Sequence, residues 1–169
     1  MRENRVISGR VWKYGDDVNT DVIFPGKYTY TINDPAEMAA HAFEDLDPSF
    51  AGAFASGDVV VAGKNFGCGS SREQAASCLV ALGVGAVVAK GFARIYFRNA
   101  INCGLPVIAC PGASEGLNAG DSVEIDLLAG EIKSGGRTWK FSPLPPEVAG
   151  ILEAGGLIPY TKAKLAAGA

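Results

Sequence analysis

From Asp58 to Leu82 the chain passes directly from a β-branched run, through a glycine-rich loop, into a helix pattern. Asp58-Val59-Val60-Val61-Ala62 reads as a short buried strand. Ala75 to Leu82 has helix-forming composition, and Gly83 is placed to end it. Between them lie Gly63-Lys64-Asn65-Phe66-Gly67-Cys68-Gly69-Ser70-Ser71-Arg72-Glu73-Gln74. A buried strand feeding a helix through such a loop commits this part of the chain to an α/β fold.

The physics of this junction favours an anion. The first N–H groups of a helix have no intrahelical partner, and the helix dipole is positive at that end. Glycine lets the backbone approach a ligand closely. Ser71 with Gln74 at N3 fits a capping box, and Ser70 with Glu73 fits it one residue earlier. One serine would then cap the helix and leave the other for chemistry. Arg72 offers a planar fork suited to a carboxylate or phosphate. The plain alternative is a capped helix after a tight turn, with Arg72 solvated. Gly67-Cys68-Gly69 begins like a dinucleotide fingerprint, but Arg72 stands where the third glycine belongs. No Gly-Lys-Ser/Thr ending is present, so the loop is not a nucleotide-triphosphate loop.

The flanking sequence extends the pattern. Ile7 to Tyr14 reads as a strand, and Gly15 to Asp21 as a polar loop. Val22-Ile23-Phe24 reads as a short strand stopped by Pro25-Gly26. A helix is expected from Pro35 to Leu46, capped at Asn33 or Asp34, with His41 in it as a surface or packing residue. Asp47 to Gly57 reads as loop. After the central helix come a strand at Ala86–Ala89, a helix at Phe92–Asn102 and a strand at Leu105–Ala109. This β-α-β-α-β order predicts parallel pairing. Ser122–Leu128, Glu131–Lys133 and Thr138–Phe141 alternate and predict an antiparallel meander. A last helix is expected over Glu147–Ala154, and the tail from Lys162 to Ala169 is expected to be frayed. The expected architecture is therefore α/β, a single domain over residues 1–169, with a parallel centre and antiparallel additions.

The 169 residues carry a net charge of −3 and no run of lysine or arginine, which disfavours nucleic acid as the main partner. No apolar run approaches membrane-spanning length. Met1-Arg2-Glu3-Asn4-Arg5 leads into no secretory signal, so the expected compartment is the cytoplasm. The four cysteines, Cys68, Cys78, Cys103 and Cys110, include no Cys-x-x-Cys, and His41 is the one histidine. Neither a metal nor a bound cofactor is expected on this chain. Cys78, Cys103 and Cys110 are expected to be buried thiols. Cys68, beside a helix start, is either a packing residue or an oxidation-sensitive one.

The loop Gly63–Ala75 resembles the active-site loop of the swivelling domain of the aconitase superfamily. Asn19-Thr20-Asp21-Val22-Ile23-Phe24-Pro25-Gly26 resembles that family's N-terminal segment. Gly91-Phe92-Ala93-Arg94-Ile95-Tyr96-Phe97-Arg98-Asn99, with Asn102 to Pro106, resembles the segment after the next strand. The matches run in order from about Gly9 to Pro106. The resemblance implies a swivelling β/β/α architecture and the small subunit of a two-chain hydro-lyase. Its large subunit would carry a [4Fe–4S] cluster, and its substrate would be a small 2-hydroxy dicarboxylic acid such as a substituted malate or homoaconitate.

By the same resemblance, Ser70 is the base that takes a proton from carbon, and Arg72 grips a substrate carboxylate. Ser71 contacts substrate or caps the helix. Asp21 orients the site, with Gly67 and Gly69 shaping the loop. Lys27, Tyr28, Thr29 and Tyr30 read the substrate's variable group. The chemistry agrees: a proton on carbon is weakly acidic, so a serine base needs positive groups around it. A non-catalytic anion-binding module and an RNA-binding role are the competing readings.

Overall fold

The computed structural model describes residues 6–168, so the expectation attached to Met1–Arg5 lies outside the described residues. Seven strands form one sheet in the order β4-β3-β2-β1-β5-β6-β7. The strand β1 (Val6–Lys13) is the seam. Its second half pairs in parallel with β2 (Val59–Val61), Val11 opposite Val59. Its first half pairs antiparallel with β5 (Ser122–Asp126), Ile7 opposite Ile125. Beyond β2 lie β3 (Ala86–Ala89) and β4 (Val107–Ala109), both parallel. Beyond β5 lie β6 (Glu131–Ser134) and β7 (Arg137–Lys140), both antiparallel. The parallel centre and the antiparallel addition are thus both present.

The parallel strands are short and apolar because both faces are covered. Val60, Val87, Ala89 and Val107 point into one core with the helices α4 (Gln74–Leu82) and α5 (Arg94–Cys103) and the rings of Phe24, Phe43 and Phe50. Val59, Val61, Ala86, Val88 and Ile108 point into a second core. There they meet Ala113 and Leu117, of and just beyond the helix α6 (Pro111–Gly116), and Val123, Ile125 and Ile132 of the meander. Helices, parallel strands and curled antiparallel strands therefore form successive layers, the β/β/α order.

Several elements depart from the sequence expectations. Val22-Ile23-Phe24 is not a strand: Thr20–Ile23 is a short helix, α1, because Asn19 Oδ1 accepts the Val22 N–H at 3.0 Å and caps it. The helix expected from Pro35 to Leu46 stops at Ala40 (α2, Pro35–Ala40), capped by Asp34. Phe43 then takes a left-handed φ of 57°, giving its N–H to Ile23 O and its ring to a stack with Tyr14 at 4.9 Å. Asp47–Gly57 contains the helical turn α3 (Phe50–Ala53). Helix α7 (Pro146–Ala154) is followed across Gly155-Gly156 by α8 (Leu157–Ala166), so helix continues to Ala166 where a frayed tail is expected from Lys162.

Asp58 fixes the seam from within. It is buried, and its carboxylate accepts from Arg10 N at 2.8 Å, Trp12 Nε1 at 3.0 Å and Ala55 N at 3.3 Å. Burial works against its ionisation, but these hydrogen bonds outweigh it and hold the carboxyl below its ordinary value.

Candidate active site

The loops leaving β1, β2 and β3 at their C-terminal ends lie side by side, where open parallel sheets place their sites. Gly67 N–H donates to Val18 O at 2.7 Å, and Thr20 N–H to Cys68 O at 2.8 Å. On the other flank Phe66 N–H donates to Gly91 O at 3.1 Å, and Ala93 N–H to Phe66 O at 2.9 Å. The central loop is thereby laced to both neighbours as a short continuation of the sheet. Gly67 is required here. Its φ is +80°, and a Cβ would fall on the ring of Tyr96, 2.7 Å from Cδ1. Tyr96 cannot yield readily, since it is buried and its hydroxyl donates to Ala75 O at 3.1 Å. Gly69 (φ +100°) is required mainly for conformation, a Cβ there meeting Thr20 Oγ1 at a tight 3.3 Å.

A cleft of about 190 Å³ opens at this junction. Ser70, Ser71 and Arg72 line it from the central loop, Thr20 from the first, and Ala93, Arg94, Ile95 and Asn99 from the third. Arg72 Nη1 forms an ion pair with Asp21 Oδ1, and the guanidinium packs against Gly26, where a Cβ would stand 2.9 Å from Cζ. Asp21 and Gly26 thus aim Arg72. Ser70 and Ser71 are exposed, and among the described residues neither hydroxyl has a hydrogen-bond partner.

Neither serine caps the helix. Helix α4 starts at Gln74 with Glu73 as its half-in residue and no side-chain cap. The entry is made by backbone instead: Arg72 N–H turns back to Ser70 O at 2.9 Å, and Ala76 and Ser77 both donate to Glu73 O at 2.9 Å. The two capping boxes are therefore not used, and both hydroxyls are left for a ligand. The open helix end at the cleft belongs to α5, whose flanking residue Ala93 has no side-chain acceptor.

The Lys27–Tyr30 segment lies on the far side of Arg72 and does not line the cleft. Tyr28 packs on His41 at 4.1 Å between ring centroids, with its hydroxyl 3.3 Å from Glu44 Oε1. Thr29 sits under Gln74, which donates to its carbonyl at 3.5 Å. Lys27 is exposed, with its ammonium 5.0 Å over the Tyr28 ring, and Tyr30 is 93% exposed. His41 bonds Glu44 at 3.3 Å as a packing residue.

Sequence reasoning passed over Thr20, Gly26 and Arg94. Thr20 and Arg94 stand inside the matched segments, and Gly26 follows a proline, so the signals were present without a geometry to rank them.

All four cysteines are free thiols. Cys78 and Cys110 are buried as expected, but Cys103 is only half-buried, at the end of α5. Its pKa is pushed up to about 11 by burial and by the neighbouring Glu73 carboxylate, 3.8 Å away. Among the described residues no group of three or more His, Cys, Asp or Glu side chains is placed to hold a metal. Among the same residues no helix is long and apolar enough to cross a membrane.

The chain belongs to the aconitase C-terminal domain family, whose sequence pattern matches residues 19–111 and so takes in the cleft-lining residues of all three loops. Within that family the similarity is to small subunits. The 3-isopropylmalate dehydratase small subunit of Caldicellulosiruptor bescii is 49% identical over 162 residues, covering 95% of this chain and 97% of that one. The isopropylmalate/citramalate isomerase small subunit of Methanocaldococcus jannaschii is 50% identical over 164 residues, covering 95% and 96%. The crystal structure of 3-isopropylmalate dehydratase from the same archaeon superposes with a TM-score of 0.89 at 46% identity, covering 94% of this chain and 95% of that one.

Proposed function

We propose that the chain works as the small subunit of 3-isopropylmalate dehydratase, interconverting 2-isopropylmalate and 3-isopropylmalate by dehydration and rehydration in leucine biosynthesis. The observation that carries the proposal is near-full-length identity of about half to chains of that name, with matched segments meeting in one cleft.

In this reading Ser70 removes the proton from the carbon beside a carboxylate. Its hydroxyl is exposed and without a protein partner, and a fixed guanidinium stands two residues away. The base is the serine alkoxide, which takes up the carbon-bound proton to become the hydroxyl, and positive charge held in place is what stabilises that alkoxide. Arg72, aimed by Asp21 and Gly26, binds one substrate carboxylate, and Ser71 contacts the substrate beside it. The Lys27–Tyr30 segment reads the alkyl substituent through Tyr30 and Lys27, its two exposed side chains, while Tyr28 and Thr29 hold the segment against α2 and α4.

The other wall comes from a large subunit, since a cleft of about 190 Å³ is below the several hundred Å³ usual for a closed ligand site. A [4Fe–4S] cluster on that subunit supplies the Lewis acid for the departing hydroxyl. The compartment is the cytoplasm.

The M. jannaschii relative's name includes citramalate, which supports a second reading in which the smaller methyl-substituted acid is also turned over. Co-expression with the large subunit and anaerobic assay on isopropylmalate, citramalate and homoaconitate tests both. Turnover of isopropylmalate by the pair and by neither chain alone is expected. A pair active on homoaconitate alone would refute the proposal.

A further inference from the structure

Arg72 is the charge that the proposed reaction uses, but it is already balanced. Its partner Asp21 lies in ion-pair contact, so the two together contribute almost no net charge to the cleft. A dicarboxylic substrate brings two negative charges. Arg72 can hold one carboxylate directly, but its pair with Asp21 sums to near zero charge, so the other has no counterpart there, and an unpaired carboxylate is costly once water is excluded.

The one further side chain lining the cleft that carries a charge at neutral pH is Arg94. It is exposed, and among the described residues it has neither an ion pair nor a hydrogen bond. It opens α5, a ten-residue helix, directly after Ala93. The first-turn N–H groups beside it have no intrahelical acceptor, and Ala93 has no side-chain oxygen to offer them. A second observation points to a ligand at the same place. The hydroxyl of Thr20, a residue only 2% exposed, lines the cleft without any hydrogen-bond partner. A buried hydroxyl left unsatisfied is unusual unless something outside the chain completes it.

We infer that Arg94, with the open first turn of α5, binds the second carboxylate of the substrate, opposite the one held by Arg72. This deepens the proposed function and rests on it for the identity of the acid, but not for the presence of two anion anchors. Arg94 makes the cleft net positive by one charge. The two anchors follow different strands, Arg72 on the loop after β2 and Arg94 at the start of α5 after β3, which suits a ligand with carboxylates at both ends and not a single anion.

The test uses the chain assembled with its large subunit, and two acids that do not react: succinate, with two carboxylates, and butyrate, with one. Titration calorimetry gives the Kd of each for wild type, Arg94→Gln and Arg94→Lys. Arg94→Gln is expected to weaken succinate roughly ten- to hundredfold, the loss typical of one charge-assisted contact, and butyrate by less than threefold. Arg94→Lys should recover part of the loss. Gel filtration and thermal melting should be unchanged. Equal succinate affinity in wild type and Arg94→Gln would overturn the inference. So would loss of assembly in Arg94→Gln, because Arg94 would then serve the subunit interface. Absence of isopropylmalate turnover by the wild-type pair would sink the reading of function, while the succinate titration still decides the role of Arg94.

Discussion

Gly67→Ala should be far more damaging than Gly69→Ala, although both glycines lie in one loop with positive φ. At Gly69 the penalty is mainly conformational. Its φ is +100°, and its nearest neighbour, Thr20 Oγ1 at 3.3 Å, is a tight contact that a shift of a few tenths of an ångström relieves. A left-handed alanine costs roughly 1–2 kcal/mol. At Gly67 the same penalty applies, with φ at +80°, and the new methyl lands on the Tyr96 ring. Tyr96 is held by its bond to Ala75 O and by an edge contact with Phe66 at 5.3 Å between centroids, so it cannot move aside. Overpacking of this kind adds about 1–3 kcal/mol. The expected totals are about 2–5 kcal/mol for Gly67→Ala and about 1–2 for Gly69→Ala. For a chain of this size, 1 kcal/mol shifts Tm by roughly 2–4 °C. Thermal unfolding of both variants under one condition measures the gap. Gly67→Ala melting at or above Gly69→Ala would refute the claim that Tyr96 seats the loop.

Asp58→Ala takes the acceptor from three part-buried donors and should cost about 2–4 kcal/mol in chemical denaturation. Because its folded pKa is depressed, its contribution is fully present above the unfolded value of about 3.9 and is lost as pH falls through that value towards the folded one. Wild type should therefore lose stability over that acid window more steeply than Asp58→Ala, and parallel pH profiles would count against the assignment. Arg72→Lys should lower kcat/KM for isopropylmalate about 10–100-fold in the assembled enzyme, since an ammonium cannot hold Asp21 and a carboxylate in one plane; unchanged kinetics would remove Arg72 from the site. Tyr30→Ala should leave Tm unchanged, as Tyr30 is 93% exposed, yet alter the ratio of kcat/KM for isopropylmalate to that for citramalate. A constant ratio would show that this segment does not read the alkyl group.

The parallel centre was readable because its physics is local. Val59–Val61, Ala86–Ala89 and Val107–Ala109 are apolar without alternation, and Gly83, Gly104 and Gly155 end the helices α4, α5 and α7 with φ near +90°. What escaped was decided by contacts distant in sequence or by a single cap. Val22-Ile23-Phe24 has strand propensity, but Asn19 turns it into a helix. The 35–46 helix has good composition, but Phe43 is drawn out of it into the aromatic cluster with Tyr14 and Phe50. Helix α6 carried a sequence signal, proline at its first position, that went unread. At the site, Ser70-Ser71-Arg72 stood out through its chemistry. The use made of the serines did not, because a capping box describes a preference, and here the backbone turn at Ser70–Glu73 takes its place.

The most direct test of the account compares turnover of isopropylmalate by the two-chain enzyme rebuilt with wild-type chain and with Ser70→Ala. A general base contributes roughly 10²–10⁴-fold, whereas loss of a helix cap would lower stability by about 1 kcal/mol and spare the rate. Since Ser70 caps nothing, the account predicts a rate loss in the first range with Tm and subunit assembly unchanged. Turnover close to wild type, with or without an earlier melt, would contradict it.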